Sequence, residues 1–302
     1  MDQITLATRQ SELALCQAHI VKNLLMAKYP SMDFAIKGMT TTGDNSLGEP
    51  LYKIGGKALF MKELEIAMKN NQAELAVHSL KDVPYKIPEG FILGAFLART
   101  NPQDALVSNH YKSIDALPAG AIVGTSSLRR KAQLLAYRQD LQIKDLRGNV
   151  QTRLAKLDCG NYDAIVLAAA GLIRLKLEKR IADLIPIQIC LPAVGQGIIV
   201  VEHLQHNKRL SQLLSAINDP TSYRCAIAER SFSEALEGGC HMPIAAYAKI
   251  IANGSIHLSA MVAKRDGSKT LCREIIGKTP EKIGAELAKQ MIAEGAYAVL
   301  ND

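Results

Sequence analysis

The 302-residue sequence has no apolar run long enough to cross a bilayer; the longest, Ile165 to Ile173, falls far short of the roughly 20 residues a spanning helix needs. No membrane role is therefore expected. It also has no CxxC pair. Its six cysteines (Cys16, Cys159, Cys190, Cys225, Cys240, Cys272) are scattered, with no histidine at zinc-finger spacing, so neither a redox dithiol nor a metal site is signalled. Most of these thiols are expected to be reduced and buried. The opening MDQITLATRQ lacks the basic start, apolar stretch and cleavage site of a secretory signal, so a cytoplasmic location is expected. Aromatics make up only 5% and do not interleave with the basic runs, which argues against a nucleic-acid platform. Short-period repeats and low-complexity tracts are missing too.

What is present is ordinary globular material, 48% hydrophobic and 22% charged, in a chain about twice a common domain length. Thirty-six Lys plus Arg against 29 Asp plus Glu leave a net charge of +7, which favours anionic partners without naming them.

The first hundred residues alternate β-rich and helical stretches. Ile4 to Thr8 reads as a strand, a helix runs from Ser11 to before Pro30, and Phe34 to Met39 reads as a second strand. Thr40 to Lys57 has no apolar period and reads as a long mobile loop carrying Lys53 and Lys57. A helix over Leu59 to Lys69 follows, then a strand at Leu75 to His78 and the turn KDVP, where Pro84 disfavours helix at Val83. After Asn101-Pro102 the outline repeats: strand Ile122 to Gly124, helix from about Ser127, strand Ile143 to Leu146, helix through Leu157, strand Ala164 to Ala168.

In both halves the first strand runs into a small hydroxyl residue, a serine and an arginine: Thr8, Arg9 and Ser11, then Thr125, Ser126, Ser127, Arg129 and Arg130. Serine suits a helix N-cap, and the free N–H groups of a helix start attract anions. Paired arginines at such a start oppose the macrodipole, so Arg129 and Arg130 ask for an anion to face them. Leu191 to Glu202 (LPAVGQGIIVVE) interrupts the second half and reads as a crossing back to the first. After Pro220 come a helix to about Leu236, the turn Gly238-Gly239-Cys240, three alternating strands up to Ile276 and a final helix after Pro280, which together read as α+β. The expectation is an α/β protein of two periplasmic-binding-protein-like lobes around a cleft plus a small C-terminal α+β domain. Residues 1–99 with 198–217 form the first lobe, 100–197 the second, and 218–302 the C-terminal domain.

Five runs stand out together: HSLKDVP (78–84), GTSSLRR (124–130), LRGNVQTRL (146–154), LPAVGQG (191–197) and LEGGCHMPI (236–244). In this order and at these separations, from ATRQS near the start to the final helix, the chain resembles the porphobilinogen deaminase (hydroxymethylbilane synthase) family. Two positions depart from that pattern: Ala58 stands where the family's GGKGLF run has glycine, and Met242 where a β-branched residue is common.

The resemblance implies a transferase that deaminates four porphobilinogen molecules, joins them head to tail on a covalently bound dipyrromethane cofactor, and releases hydroxymethylbilane by hydrolysis. It implies a thioether from Cys240 to that cofactor, and a thiolate is the soft nucleophile suited to an electrophilic azafulvene carbon. Asp82 corresponds to the family's catalytic aspartate; a carboxylate near the pyrrole nitrogen stabilises positive charge when ammonia leaves and then helps remove the ring proton. Around the cofactor the resemblance places Lys81, Asp82, Thr125, Ser127, Arg129, Arg130, Arg147 and Asn149. For the substrate's acetate and propionate groups it places Arg9, Ser11, Arg147, Arg153, Arg174, Lys53, Lys57 and Gln196, with Phe60 stacking on a pyrrole; arginine suits two-oxygen recognition of carboxylates. Arg99 and Asp44 match lesser contacts. No metal is implied. Uroporphyrinogen-III synthase is the implied acceptor of the product, and a monomer is expected.

Two lobes around a cleft also describe solute-binding proteins and effector domains, and fold alone does not separate these from an enzyme. Covalent chemistry does: a binding protein has no reason to carry a bound dipyrromethane.

Overall fold

The computed structural model describes residues 3–45, 60–237 and 242–301. The chain begins with β1 (Ile4–Arg9), and Ser11 then caps α1 (Glu12–Lys28), its hydroxyl accepting from the Ala14 N–H at 3.4 Å. The helix ends two residues before Pro30, which cannot continue it. After β2 (Phe34–Met39), part of the expected loop is a short helix, α2 (Thr42–Asn45), because Thr41 and Asp44 bond to each other and fold the turn; residues 46–59 lie outside the described chain. The next helix, α3 (Lys62–Lys69), begins later than the expected Leu59, with Phe60 and Met61 in the preceding turn.

Next come β3 (Leu75–Ser79), a 3-10 turn over Leu80–Asp82, β4 (Phe91–Phe96), β5 (Asp104–Val107) and β6 (Ile122–Gly124). Helix α4 (Leu128–Tyr137), β7 (Gln142–Lys144), α5 (Val150–Asp158), β8 (Ala164–Ala168), α6 (Ala169–Arg174) and β9 (Asp183–Leu184) complete the middle of the chain. The remainder runs β10 (Ile199–Leu204), α7 (Lys208–Ser215), α8 (Pro220–Ala235), β11 (Ile244–Ile250), β12 (Ile256–Ala263), β13 (Thr270–Gly277), α9 (Pro280–Ala293) and α10 (Ala296–Asn301).

The chain divides into two compact units, Met1–Thr100 with Ile198–Arg224, and Asn101–Gly197 with Cys225–Asp302. The first holds a five-stranded sheet of order β2-β1-β3-β10-β4, in which β10 is antiparallel to both neighbours. Both faces are covered, so its strands are apolar on both sides. One face packs Leu6, Leu75, Val77, Ile199 and Val201 against Val21 and Leu25 of α1 and the leucines of α7. The other packs Ala7 and Ala76 against Leu64 and Met68 of α3. Leu6, Leu25 and Leu75 are fully buried, and truncating any one to alanine should cost about 2–5 kcal/mol.

The second unit holds a sheet of order β7-β6-β8-β5-β9 with β5 antiparallel to both neighbours, the same order and directions as the first sheet. It also holds the antiparallel sheet β11-β12-β13, one face of which packs Ala246, Ala248, Leu258 and Ala260 against Phe232 of α8 and Leu287 and Met291 of α9. Gly284 lets these helices approach, since a Cβ there would sit 2.4 Å from the Ala228 carbonyl. Its other face places Ala245, Met261 and Ala263 on Ala132 of α4. Buried Glu229 ties the LPAVGQG segment to β11, accepting from the N–H groups of Gly195 (2.7 Å) and Ala248 (2.8 Å). These sheets show the expected α/β class with a C-terminal α+β portion.

The thiols differ from expectation. Of the five described, only Cys190 and Cys225 are buried, whereas Cys159, the residue that ends α5, and Cys272, on the edge strand β13, are exposed.

Candidate functional site

In the first unit, Arg9 leaves the carboxyl end of β1 and meets Asp44. Its Nε donates to both carboxylate oxygens at 3.1 and 3.2 Å, and its Nη2 also pairs with Asp44. The guanidinium lies 4.2 Å from the centre of the Phe60 ring. Burial works against ionisation of Asp44, but hydrogen bonds from Arg9 and Thr41 outweigh it and hold the carboxyl below its ordinary value. On the neighbouring strand, β3 delivers His78 and Ser79, and the 3-10 turn that follows sets Lys81 and Asp82 half-buried. Asp82, Arg9, Phe60, Gln17, His78 and Ser79 all line one small cavity of about 30 Å³. Ser79 and Gln17 exchange hydrogen bonds of 2.7 and 3.1 Å across it. Ser11, the α1 cap, spends its hydroxyl oxygen on the helix start.

In the second unit, Ser127 caps α4, accepting from the Arg130 N–H at 3.4 Å, and Thr125 accepts from the Ser127 N–H at 3.2 Å. The anion that Arg129 and Arg130 ask for is internal: it is Asp104, at the start of β5, with no exposed surface. Arg129 Nη2 donates to one Asp104 oxygen at 2.7 Å, and Arg130 donates to the other through Nε at 3.0 Å and Nη2 at 2.7 Å. Arg129 Nη1 also donates to the Leu191 carbonyl (2.6 Å) and Arg130 Nη1 to the Val166 carbonyl (2.9 Å). Gln196, expected to bind substrate, is buried and donates through Nε2 to Asp104 (3.0 Å) and the Pro102 carbonyl (2.7 Å). Burial disfavours the Asp104 charge, yet the two guanidiniums overcome it and hold this carboxyl far below the usual carboxylate range. The Cys190 thiol, which donates to Asp104 at 3.3 Å, is pushed up to about 12, first by burial and then by that neighbouring carboxylate. It stays a thiol.

Beyond this hub, Asn149 caps α5 by accepting from the Thr152 N–H at 2.8 Å. Gly148 before it sits at φ +112°, a conformation L side chains rarely adopt, and a Cβ there would meet Thr152 at 2.7 Å. Arg153 donates to the Gly148 carbonyl (2.7 Å), Arg174 donates to the Gly197 carbonyl (2.7 Å), and Arg147 is half-buried. Neither α4 nor α5 has an acidic residue in its first turn, whereas α1 has Glu12. One buried carboxylate against two guanidiniums, beside helix starts free of acids, leaves an excess of positive charge. That donor set fits a ligand rich in carboxylates, such as a dipyrromethane bearing acetates and propionates. Cys240, Lys53 and Lys57, together with Ala58, lie outside the described residues.

Sequence reasoning missed Asp104 and the buried contact between His78 and Glu202 (3.0 Å). Asp104 stands directly before the apolar run Ala105-Leu106-Val107, and a lone acid at the head of a buried strand was the available signal. Strands β4, β5 and β9 and helices α6 and α7 were also not anticipated.

The sheets define an α/β protein with an added antiparallel three-stranded sheet, and the charged side chains in each unit suit an anionic ligand. Comparison narrows this class. Residues 4–212 match the model for "Porphobilinogen deaminase, dipyromethane cofactor binding domain" and residues 223–293 that for "Porphobilinogen deaminase, C-terminal domain". The porphobilinogen deaminase of Francisella tularensis subsp. novicida (strain U112) is 59% identical over 300 residues, covering 99% of each chain. That of Francisella tularensis subsp. holarctica (strain LVS) is 58% identical over the same span. The chain belongs to the porphobilinogen deaminase family, enzymes of tetrapyrrole biosynthesis that carry dipyrromethane. Among solved structures, the methionine-binding protein MetQ aligns at TM-score 0.46 and 13% identity, over 73% of this chain and 92% of that one, a likeness too low to carry an argument.

Proposed function

We propose that this chain deaminates four porphobilinogen molecules, joins them head to tail, and releases hydroxymethylbilane by hydrolysis, with Cys240 holding the cofactor and Asp82 serving the chemistry. The observation that carries this reading is the company Asp82 keeps: a proton acceptor, a carboxylate-binding guanidinium on Arg9 and a ring face on Phe60 line a single cavity. When bound, dipyrromethane supplies the two-ring primer on which pyrroles are joined. Asp82 then faces the pyrrole nitrogen, stabilises the cation left when the substrate loses ammonia, and accepts the ring proton. Arg9, Arg147, Arg153 and Arg174 hold substrate carboxylates, with Ser11, Gln196, Lys53 and Lys57 as further contacts and Phe60 against a ring. Lys81, Thr125, Ser127, Arg129, Arg130 and Asn149 face the cofactor. Arg129 and Arg130 do this from an orientation set by Asp104, offering the N–H groups that Asp104 and the carbonyls leave over.

The reading includes three domains, with 1–99 and 198–217, 100–197, and 218–302 as their residues. It also includes a monomeric cytoplasmic enzyme whose product passes to uroporphyrinogen-III synthase. Among the described residues, no helix is long and apolar enough to cross a membrane. The test is incubation with porphobilinogen: release of ammonia and hydroxymethylbilane supports the reading, and unconsumed porphobilinogen contradicts it.

A further inference from the structure

His78 and Glu202 form a buried pair on the face of the first sheet that α3 covers. The register sets them there: Val200 pairs with His78 and Glu202 with Ala76, so His78 and Glu202 are diagonal neighbours on one face of two antiparallel strands. Their side chains meet at 3.0 Å, Nε2 to Oε2, with His78 8% exposed and Glu202 fully buried. The other Glu202 oxygen is buried without a hydrogen-bond partner. Strands tolerate such a carboxylate only when it is compensated, and replacing either residue with an aliphatic side chain would fill the same space at lower electrostatic cost. A purely structural role does not explain why one end of the pair opens onto the cavity that Asp82 and Arg9 line.

The other charged groups facing the pair are on α3. Glu65 is pushed above its ordinary value by burial and then by the Glu202 charge, while His78 and Lys69 pull it back. Arg9 and Asp82 face it from the cavity side. A carboxylate that accepts from Nε2–H fixes the imidazole tautomer and leaves Nδ1 as the basic nitrogen. This is the arrangement of an imidazole prepared to take a proton.

We propose that His78, oriented by Glu202, is the proton carrier of this site, taking the ring proton from Asp82 and passing it to the released ammonia. The proposal rests on the deaminase reading. In each cycle the substrate amine enters as an ammonium; its C–N bond breaks, the electron pair leaves on neutral ammonia, and the substrate is left as a cation. The α-carbon of the growing chain's terminal ring then forms the new C–C bond to that cation and loses its proton to Asp82. His78 takes this proton from Asp82 and passes it to the released ammonia, which departs as ammonium, and Asp82 is again a carboxylate for the next cycle. Nothing is oxidised or reduced.

The test uses the cofactor-loaded enzyme. Nitrogen-15 NMR of labelled histidine should show His78 as the Nε2–H tautomer, and Glu202→Gln should lose that tautomer preference. In quenched extension reactions read by mass spectrometry, His78→Gln should slow each step by about 100-fold or more while the cofactor mass stays in place. Glu202→Gln should slow extension in the same assay, because the amide no longer fixes the imidazole tautomer. An Nδ1–H tautomer in the wild type, or wild-type rates in both variants, overturns the proposal. If His78→Gln does not fold, the tautomer and extension rate of Glu202→Gln decide. A wild-type enzyme that carries no cofactor and extends nothing overturns the deaminase reading itself, whereas a normal wild-type ladder with unaffected variants overturns only the proton carrier.

Discussion

In the first sheet, Arg9 is partly exposed and answered by one partly exposed carboxylate, Asp44, and one aromatic ring. In the second, Arg129 and Arg130 are buried and share a single carboxylate, Asp104, that water does not reach. The sheets have the same strand order and the same strand directions. What differs is how each keeps positive charge in place: a solvated pair that can exchange its carboxylate for a ligand's, against a preorganised hub with one guanidinium charge in excess. The comparison teaches that a repeated topology does not repeat the electrostatics of its site.

Several substitutions would break or sharpen this contrast. The largest effect is expected at Asp82, where Asp82→Ala should nearly abolish porphobilinogen turnover in a steady-state assay while leaving circular dichroism unchanged. Retention of most activity would contradict its role. Next is the hub: Asp104→Asn leaves two buried guanidiniums uncompensated and should cost about 3–5 kcal/mol in urea unfolding. An Asp104→Asn protein as stable as the parent would show that the hub does not hold the second sheet.

The same carboxylate predicts an acid dependence. Its folded pKa lies far below the unfolded value, so its contribution is complete above about pH 4 and is lost as pH falls towards 2 and below. Asp104→Asn should remove that part of the acid sensitivity in urea midpoints measured against pH. Neutralising Arg129 or Arg130 should impair cofactor assembly or chain extension, read as stalled pyrrole adducts by mass spectrometry. The smallest stability effect is expected in the first sheet: Asp44→Asn should cost only about 0.2–1 kcal/mol, because the Arg9 pair is partly exposed and partly screened. A cost equal to that of Asp104→Asn would erase the contrast.

Much of this organisation was legible before the fold. Ser11 and Ser127 are both helix caps, as their positions after a strand and before an apolar period predict. The repeated β-helix outline of the two halves corresponds to two sheets of one order. Asp104 was not legible, because its role exists only when β5 enters antiparallel between β8 and β9 and brings the carboxylate under α4. Pairing across sequence separations of 25 and 26 residues leaves no local period to read. Glu202 was hidden for a similar reason, since in a strand buried on both faces an acid is marked only by the partner that a distant strand supplies. β4 was missed because the apolar FILGAF follows a proline-rich turn without alternation. Gln196 was legible as a polar side chain in the LPAVGQG run but not in its packing: its amide N–H groups go to Asp104 and the Pro102 carbonyl, while its amide oxygen is buried without a hydrogen-bond partner.

The account depends most on a covalent bond that no side-chain geometry among the described residues displays. The most direct measurement is the intact mass of the freshly purified protein beside its Cys240→Ser variant. The account predicts a wild-type mass above that of the bare polypeptide by one dipyrromethane, and a variant that carries none. A wild-type mass equal to the bare chain, unchanged after incubation with porphobilinogen, would contradict it.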